Sequence, residues 1–304
     1  LRELYWVYGA GGLLTLIAVL ILGNTAFGAR LSLTIYDVTI QPSEFVKILF
    51  VFFVAGMLYE TQDLRRVVIT TCAAAAHVLV LVLSRDLGGA LIFFVTYLVM
   101  LYVATKQPLY FLAGLGAGCA ASFVAWRLFS HVQARVLAWS NPFAVIEEEG
   151  YQIAQSLFAI GTGGWFGMGL GQGMPNKIPV VEEDFIFSAI AEEMGILFAV
   201  LLVFVYLCCF YMILNIAMCL KDAYYKLVAL GLGTLLIFQV FLSIGGVIKF
   251  IPSTGVTLPF ISYGGSSLLS MFAVWAIVQG MYLKRGDEVA ENEKEKGKGQ
   301  GKKN

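Results

Sequence analysis

Apolar residues fill the chain in long blocks, and the polar residues collect in the gaps between them. A helix needs roughly 20 apolar residues to cross a hydrocarbon core. Eight blocks approach that length, at about 7–27, 44–59, 67–83, 88–105, 109–127, 185–220, 227–248 and 262–283. The bilayer offers no water to free backbone groups, so such blocks are expected to be helical. The pattern predicts an all-α polytopic membrane protein of about eight transmembrane helices. It forms a single helical membrane domain over 1–285 with one large loop at about 128–183. The sixth block is overlong: Phe185 to Leu220 is 36 residues, about 54 Å against a core of about 30 Å. Its upper turns are expected to tilt or project from the bilayer.

Composition supports the membrane reading, since 59% hydrophobic residues, 13% charged residues and a mean hydropathy of +0.82 lie outside the soluble range. The net charge is zero and only His77 and His131 are histidines, which argues against nucleic acid and a His-rich metal site. All five cysteines lie inside apolar blocks and read as packing residues. The chain opens on Leu1 rather than Met and has no signal peptide, which reads as a piece lacking an N-terminal portion.

Basic residues orient the blocks, because cytoplasmic loops collect Lys and Arg. One alternating set of connections holds Arg2, Arg65, Arg66, Lys106, Lys221, Lys226, Lys284 and Arg285. The other short connections hold only Arg30, Lys47, Arg85 and Lys249. Residue 1 and the tail are therefore expected inside, and the large loop outside. Residues 286–304, rich in Lys, Glu and Gly, read as a disordered cytoplasmic tail.

Charge near a bilayer is costly and tends to mark function. Three acid-bearing helix starts converge on the expected outer face. "QPSEFVK" puts Glu44 and Lys47 three residues apart on one face, close enough to pair. "SRDLGG" puts Arg85 and Asp86 before the fourth helix, and "VEEDFIF" puts Glu182, Glu183 and Asp184 before the sixth. Any one alone is explained as a cap or an interfacial ion pair, since carboxylates favour helix N-termini. Beyond Asp184, helical spacing places Ser188, Glu192 and Gly195 on the same face as a descending polar stripe. Glu192 and Glu193 read as structural. "GTGGWFGMGLGQG" holds seven glycines between Gly161 and Gly173. No Gly-Lys-Ser/Thr follows it, so it reads as a flexible or tightly folded loop rather than a phosphate loop. The last outer connection, "KFIPSTGVTLPFISYGGSSLLS", is dense in Pro, Gly and hydroxyls, with Ser262 placed to cap a helix or bind a ligand's oxygens.

In order and on one face, "QPSEFVK", "RDLGGA", "YQIAQSLFAIGTGGWFGMGLGQG", "DFIFSAIAEEMG" and "PSTGVTLPFISYGGSSL" resemble the SEDS family, the shape, elongation, division and sporulation proteins. The resemblance covers nearly the whole chain. It implies ten helices, of which this sequence would supply the last eight. It also implies a peptidoglycan glycosyltransferase in the bacterial cytoplasmic membrane that polymerises lipid II on the extracytoplasmic side. The implied partners are a class B penicillin-binding protein transpeptidase and other cell-wall, divisome or elongasome membrane proteins. By the same resemblance Asp184 matches the family's essential aspartate. Glu44 and Lys47 match its polar pair, Asp86 its "DLG" aspartate, Gln155 the "Q-S" of the large loop, and Ser262 its "SYGG". Many members carry a basic residue and Trp after "GA", whereas here Arg30 is followed by Leu31, so Arg30 alone carries that charge.

The implied chemistry inverts an anomeric carbon, which needs a base for the acceptor hydroxyl and help for the leaving group. Asp184 is the expected base, with Glu182 and Glu183 raising its proton affinity as like charges do. The pyrophosphate calls for positive charge from Lys47, Arg30 or Arg135, or from a divalent cation such as Mg or Mn. No organic cofactor is expected. The alternative is lipid II flipping or another transport role, which would place polar residues at mid-bilayer depth.

Overall fold

The computed structural model describes residues 2–26, 29–35, 38–59, 63–147 and 150–300, with backbone alone for 24–26, 29–30, 35, 38 and 287–300. Ten α-helices make up most of it: α1 (Tyr5–Leu22), α2 (Ser43–Leu58), α3 (Leu64–Leu83), α4 (Leu87–Thr105), α5 (Pro108–Leu128), α6 (Ser130–Ser140), α7 (Tyr151–Gly163), α8 (Ile186–Cys219), α9 (Ala223–Val247) and α10 (Gly265–Gln300). Seven are long and apolar enough to span a bilayer: α1, α3, α4, α5, α8, α9 and α10 up to Gly286. The remaining predicted block forms α2, whose 16 residues reach only about 24 Å. It stands inside the bundle, packed against α1, α4 and α9, with Val51, Val54 and Ala55 fully buried.

The core is laid around α9, which packs against α2, α4 and α8 and is buried along most of its length. Its small residues allow this: Gly231 meets Met100 and Val51, and Gly233 meets Ile213, so a side chain at either would displace a neighbouring helix. By contrast, α5 buries no residue and lies on the periphery against α4 and α6.

Two features depart from the sequence reading. Between α1 and α2 lies a three-stranded antiparallel sheet of β1 (Asn24–Ala26), β2 (Ala29–Ile35) and β3 (Val38–Ile40), in that order. Apolar residues alternate through β2 at Leu31, Leu33 and Ile35, the period of a strand. At the other end, the backbone of α10 runs past Gly286 as helix, into the stretch that composition reads as a disordered tail. Glu and Lys are good helix formers wherever they lie.

The large connection is built rather than loose. It holds α6, α7 and a 3₁₀ turn at Pro175–Lys177, and α7 packs along the start of α8. The starts of α2, α4, α8 and α10 meet this segment at one end of the bundle, called here the loop face. Hydrogen bonds from Trp139 Nε1 to the Lys249 carbonyl, 3.1 Å, and from Gln41 N to Ser266 Oγ, 3.0 Å, tie that end together.

Candidate active site

Asp184 sits just before α8, held by its neighbours' backbones. Tyr263 N–H donates to the Glu182 carbonyl at 2.7 Å, and the Ser262 hydroxyl donates to the Glu183 carbonyl. Ser262 Oγ also accepts from Leu258 N–H at 2.7 Å. Ser262 therefore clamps the 249–264 loop to the strand of chain leading into Asp184, and its hydroxyl is occupied in doing so. The Asp184 N–H closes a turn on the Val180 carbonyl at 3.3 Å.

The Asp184 carboxyl lines a cavity of about 240 Å³ together with Arg135, Gln152, Ile153, Phe185, Ser253 and Gly255. Arg135 reaches in from α6 and is fixed by donating from Nη1 to the Ser253 carbonyl at 3.0 Å. Gly255 lies between the two charges with φ +68°. A Cβ there would stand 3.3 Å from Asp184 Oδ2 and 3.9 Å from Arg135 Nη2. Glycine is thus needed for its backbone angle, and it keeps the gap between acid and guanidinium clear.

Burial pushes the Asp184 carboxyl up to about 6, Glu183 adds to the rise, and Arg135 opposes it. The expectation from charge alone holds for Glu183, but desolvation is the larger cause, and Glu182 is not among the groups that act on it. Burial in turn lowers the Arg135 pKa, opposed first by Asp184 and then by Asp86.

Asp86 is the N-cap of α4, accepting from Gly89 N–H at 2.7 Å and, at 3.5 Å, from the Ser43 hydroxyl. Burial raises its pKa, and Glu44 adds to this. Asp86 does not line the cavity, but its charge acts on Arg135, which does.

Glu44 and Lys47 pair as their spacing predicts, with Nζ 2.6 Å from Oε2. Lys47 is only 3% exposed and donates a second bond to Gln239 Oε1 at 2.8 Å. Gln239 donates to the Thr257 carbonyl at 3.1 Å, Thr257 pairs with Ser267 at 2.8 Å, and Ser270 donates to Glu44 at 3.0 Å. The Lys47 ammonium is therefore engaged inside α2, α9 and α10, and the network it anchors supports the 249–264 loop from beneath. Gln239 was readable as a lone amide in the apolar run "LLIFQVFLS", a signal that intramembrane polar residues carry on their own.

The polar stripe below Asp184 is a packing seam. Ser188 is fully buried against Ser156 of α7, at 2.7 Å, and Ser156 donates to the Val247 carbonyl at 2.9 Å. Nor is α8 one straight helix, since Gly195 breaks it with φ 83° and ψ 170°. The glycine-rich loop bonds the groups this break frees. Met168 and Gly169 N–H donate to the Glu192 and Glu193 carbonyls at 2.9 and 3.0 Å. In return, Ile196 and Leu197 N–H donate to the Gly164 and Trp165 carbonyls at 2.9 and 3.3 Å. The glycines permit the approach: a Cβ on Gly163 would lie 2.0 Å from the Ala191 carbonyl oxygen, and one on Gly167 2.2 Å from that of Glu193. Glu192, 6% exposed, accepts from Met174 N–H at 3.2 Å, in keeping with a structural reading.

Of the remaining sequence candidates, Gln155 is half-buried on α7 and has no hydrogen-bond partner among the described residues. Arg30 pairs through its backbone with Thr25 in the sheet, and its side chain lies outside the described residues. Gln152, one turn before Gln155, does line the cavity. It and Ser253 were not singled out from the sequence, because nothing in their spacing sets them apart from their neighbours.

The arrangement defines a multi-pass helical membrane protein with a partly desolvated carboxyl and a guanidinium facing one cavity at one end of the bundle. The chain belongs to the FtsW, RodA and SpoVE family of cell cycle proteins, whose sequence model matches residues 2–285. Similar proteins include the peptidoglycan glycosyltransferase RodA of Mycobacterium tuberculosis, 37% identical over 267 residues, which cover 83% of this chain and 57% of that protein. The stage V sporulation protein E of Bacillus subtilis is 34% identical over 267 residues, covering 85% of this chain and 73% of that one. The chain thus spans little more than half the length of its mycobacterial relatives. Among solved structures, a chain from a peptidoglycan synthase complex that coordinates polymerization and crosslinking superposes with a TM-score of 0.79 at 25% identity, covering 93% of this chain and 82% of that one. The rod shape determining protein RodA of Thermus thermophilus superposes with a TM-score of 0.66 at 25% identity, over 91% and 77%.

Proposed function

We propose that this protein polymerises lipid II into glycan strands on the extracytoplasmic side of the cytoplasmic membrane, with Asp184 as general base. The observation that carries the reading is the Asp184 carboxyl, raised to about 6 by burial, across Gly255 from Arg135 in the 240 Å³ cavity. A base works best when its pKa lies near the operating pH. Asp184 would take the proton of the acceptor's 4-hydroxyl as that oxygen attacks the donor's anomeric carbon. The bond from that carbon to the lipid pyrophosphate breaks on the opposite face, so an α-linked donor yields a β-1,4 link. Arg135 is the cation placed to meet the departing pyrophosphate, a fixed charge that needs no reorganisation during reaction. Lys47, engaged with Glu44 and Gln239, serves by holding the floor of the site.

Among the described residues no group of three or more His, Cys, Asp or Glu is gathered to hold a metal ion. A divalent cation would therefore be held largely by the pyrophosphate itself. A class B transpeptidase is the proposed partner, in line with the joint polymerization and crosslinking named for the structural neighbour. The placement outside rests on the excess of basic residues on the opposite face.

Transport would need a polar route between the faces. Below Lys47, however, α2 buries Phe50, Val51, Phe53, Val54 and Met57, which argues for a site closed from beneath. Reconstitution with labelled lipid II and the transpeptidase separates the two, with polymerisation giving a ladder of glycan strands. Lipid II crossing the bilayer with no ladder formed would instead favour transport.

A further inference from the structure

The glycine-rich loop has a second face. Its backbone is bonded into the break in α8, yet its side chains project outward: Trp165 is 69% exposed, Phe166 83%, Leu170 74% and Met174 62%. No charged residue occurs from Gly161 to Asn176. Nothing in the chemistry proposed for Asp184 uses these side chains, and none of them lines its cavity. A water-exposed loop of this composition would be an unusual cost, since contiguous apolar patches mark surfaces that something else covers.

We infer that this loop is a membrane anchor whose apolar side chains insert into the bilayer interface on the loop face. Three observations fix the lipid as occupant. The first is depth. From the break at Gly195, α8 continues without a further break to Cys219, about 36 Å at 1.5 Å per residue, enough to cross a core of roughly 30 Å. The break, and the loop bonded across it, therefore stand at the membrane boundary. Trp is enriched at that level because its ring is apolar and its N–H wet.

The second is continuity. Leu197 N–H donates to the Trp165 carbonyl, and from there the outer face of α8 presents Leu197, Val200, Leu201 and Phe204, all exposed as lipid-facing side chains are. The loop extends that same apolar surface. The third is backbone satisfaction. Irregular backbone near the hydrocarbon is tolerated only when its polar groups are bonded, and across the break the N–H groups of Met168, Gly169, Ile196 and Leu197 each find a carbonyl partner. Gly195 and the loop glycines thus form a fixed bracket that sets the height of the chain leading to Asp184 relative to the membrane.

The test is depth-resolved quenching of Trp165 in the protein reconstituted into phosphatidylcholine and phosphatidylglycerol vesicles. Trp165→Phe keeps an apolar ring, and the emission difference between parent and variant isolates Trp165 from Trp6, Trp126, Trp139 and Trp275. The expected result is loss of that difference emission with brominated acyl chains, stronger for shallow bromines than deep ones, and little effect of aqueous iodide. Quenching by iodide without quenching by brominated lipid would overturn the proposal and leave the surface free for a protein partner. Quenching by neither would also overturn it, since protein, such as a second copy, would then cover the ring. Leu170→Trp in the Trp165→Phe background supplies a second reporter at a position exposed enough to accept it, read by the same criteria.

Discussion

At the residue scale, Asp184 carries a pH signature that its neighbours set. With the carboxyl raised to about 6, the proton-accepting form grows as pH rises through that value. The polymerisation rate should therefore climb between about pH 5 and 7 and then level off. Two substitutions should move the rise in opposite directions. Glu183→Gln removes a like charge, lowers the proton affinity of Asp184 and shifts the rise to lower pH. Arg135→Met removes the opposing cation and shifts the rise to higher pH, together with a loss of rate from the leaving-group side. Rate against pH for the three proteins checks both signs. A merely structural role for Arg135 would lower the rate without moving the profile. Asp184 was singled out in the sequence by its place at a helix start among other acids and by the family resemblance. The main cause of its raised pKa was not legible there, because burial depends, beyond the adjacent Phe185, on Ile153 and the 249–264 loop, which lie tens of residues away in the chain.

At the element scale, the break in α8 and the glycine-rich loop form one unit. The length of the sixth block showed that its upper turns must tilt or project, and the glycine density showed unusual backbone, but the break at Gly195 and its joining to the loop appear only in the fold. Each glycine in the joint has a definite task. Gly195→Ala would place a side chain at φ 83°, where a non-glycine residue costs about 1–3 kcal/mol, and would set its Cβ 2.4 Å from Gly167 N. It should lower the thermal unfolding midpoint in detergent and reduce yield. Gly161→Ala, where nothing lies within 4 Å, is the control. It should be neutral or stabilise by about 0.5–1 kcal/mol, because Ala suits a helix better than Gly.

At the scale of the whole molecule, the buried network from Lys47 to Ser270 ties α2, α9 and α10 together beneath the site. The spacing of Glu44 and Lys47 made their pairing legible, whereas Gln239, 192 residues from Lys47, could be joined to them only by the packing. Lys47→Met would leave the Glu44 charge without its partner, a loss of up to roughly 3–5 kcal/mol for a buried pair. Melting curves should show this loss, and Glu44→Gln added to Lys47→Met should recover part of it. Arg135→Met, on a cavity wall, should lose rate with little change in melting. The spans and the converging helix starts were legible because bilayer thickness imposes length and hydropathy on the chain. The small sheet was not, because its strands are too short to outweigh the apolar blocks on either side. All these levels converge on one carboxyl, and lipid II polymerisation by Asp184→Asn in complex with the transpeptidase tests it most directly. Near-isosteric Asn keeps the fold, so the account predicts an unchanged melting curve and loss of glycan strands at every pH. Strands formed at the parent rate would contradict it.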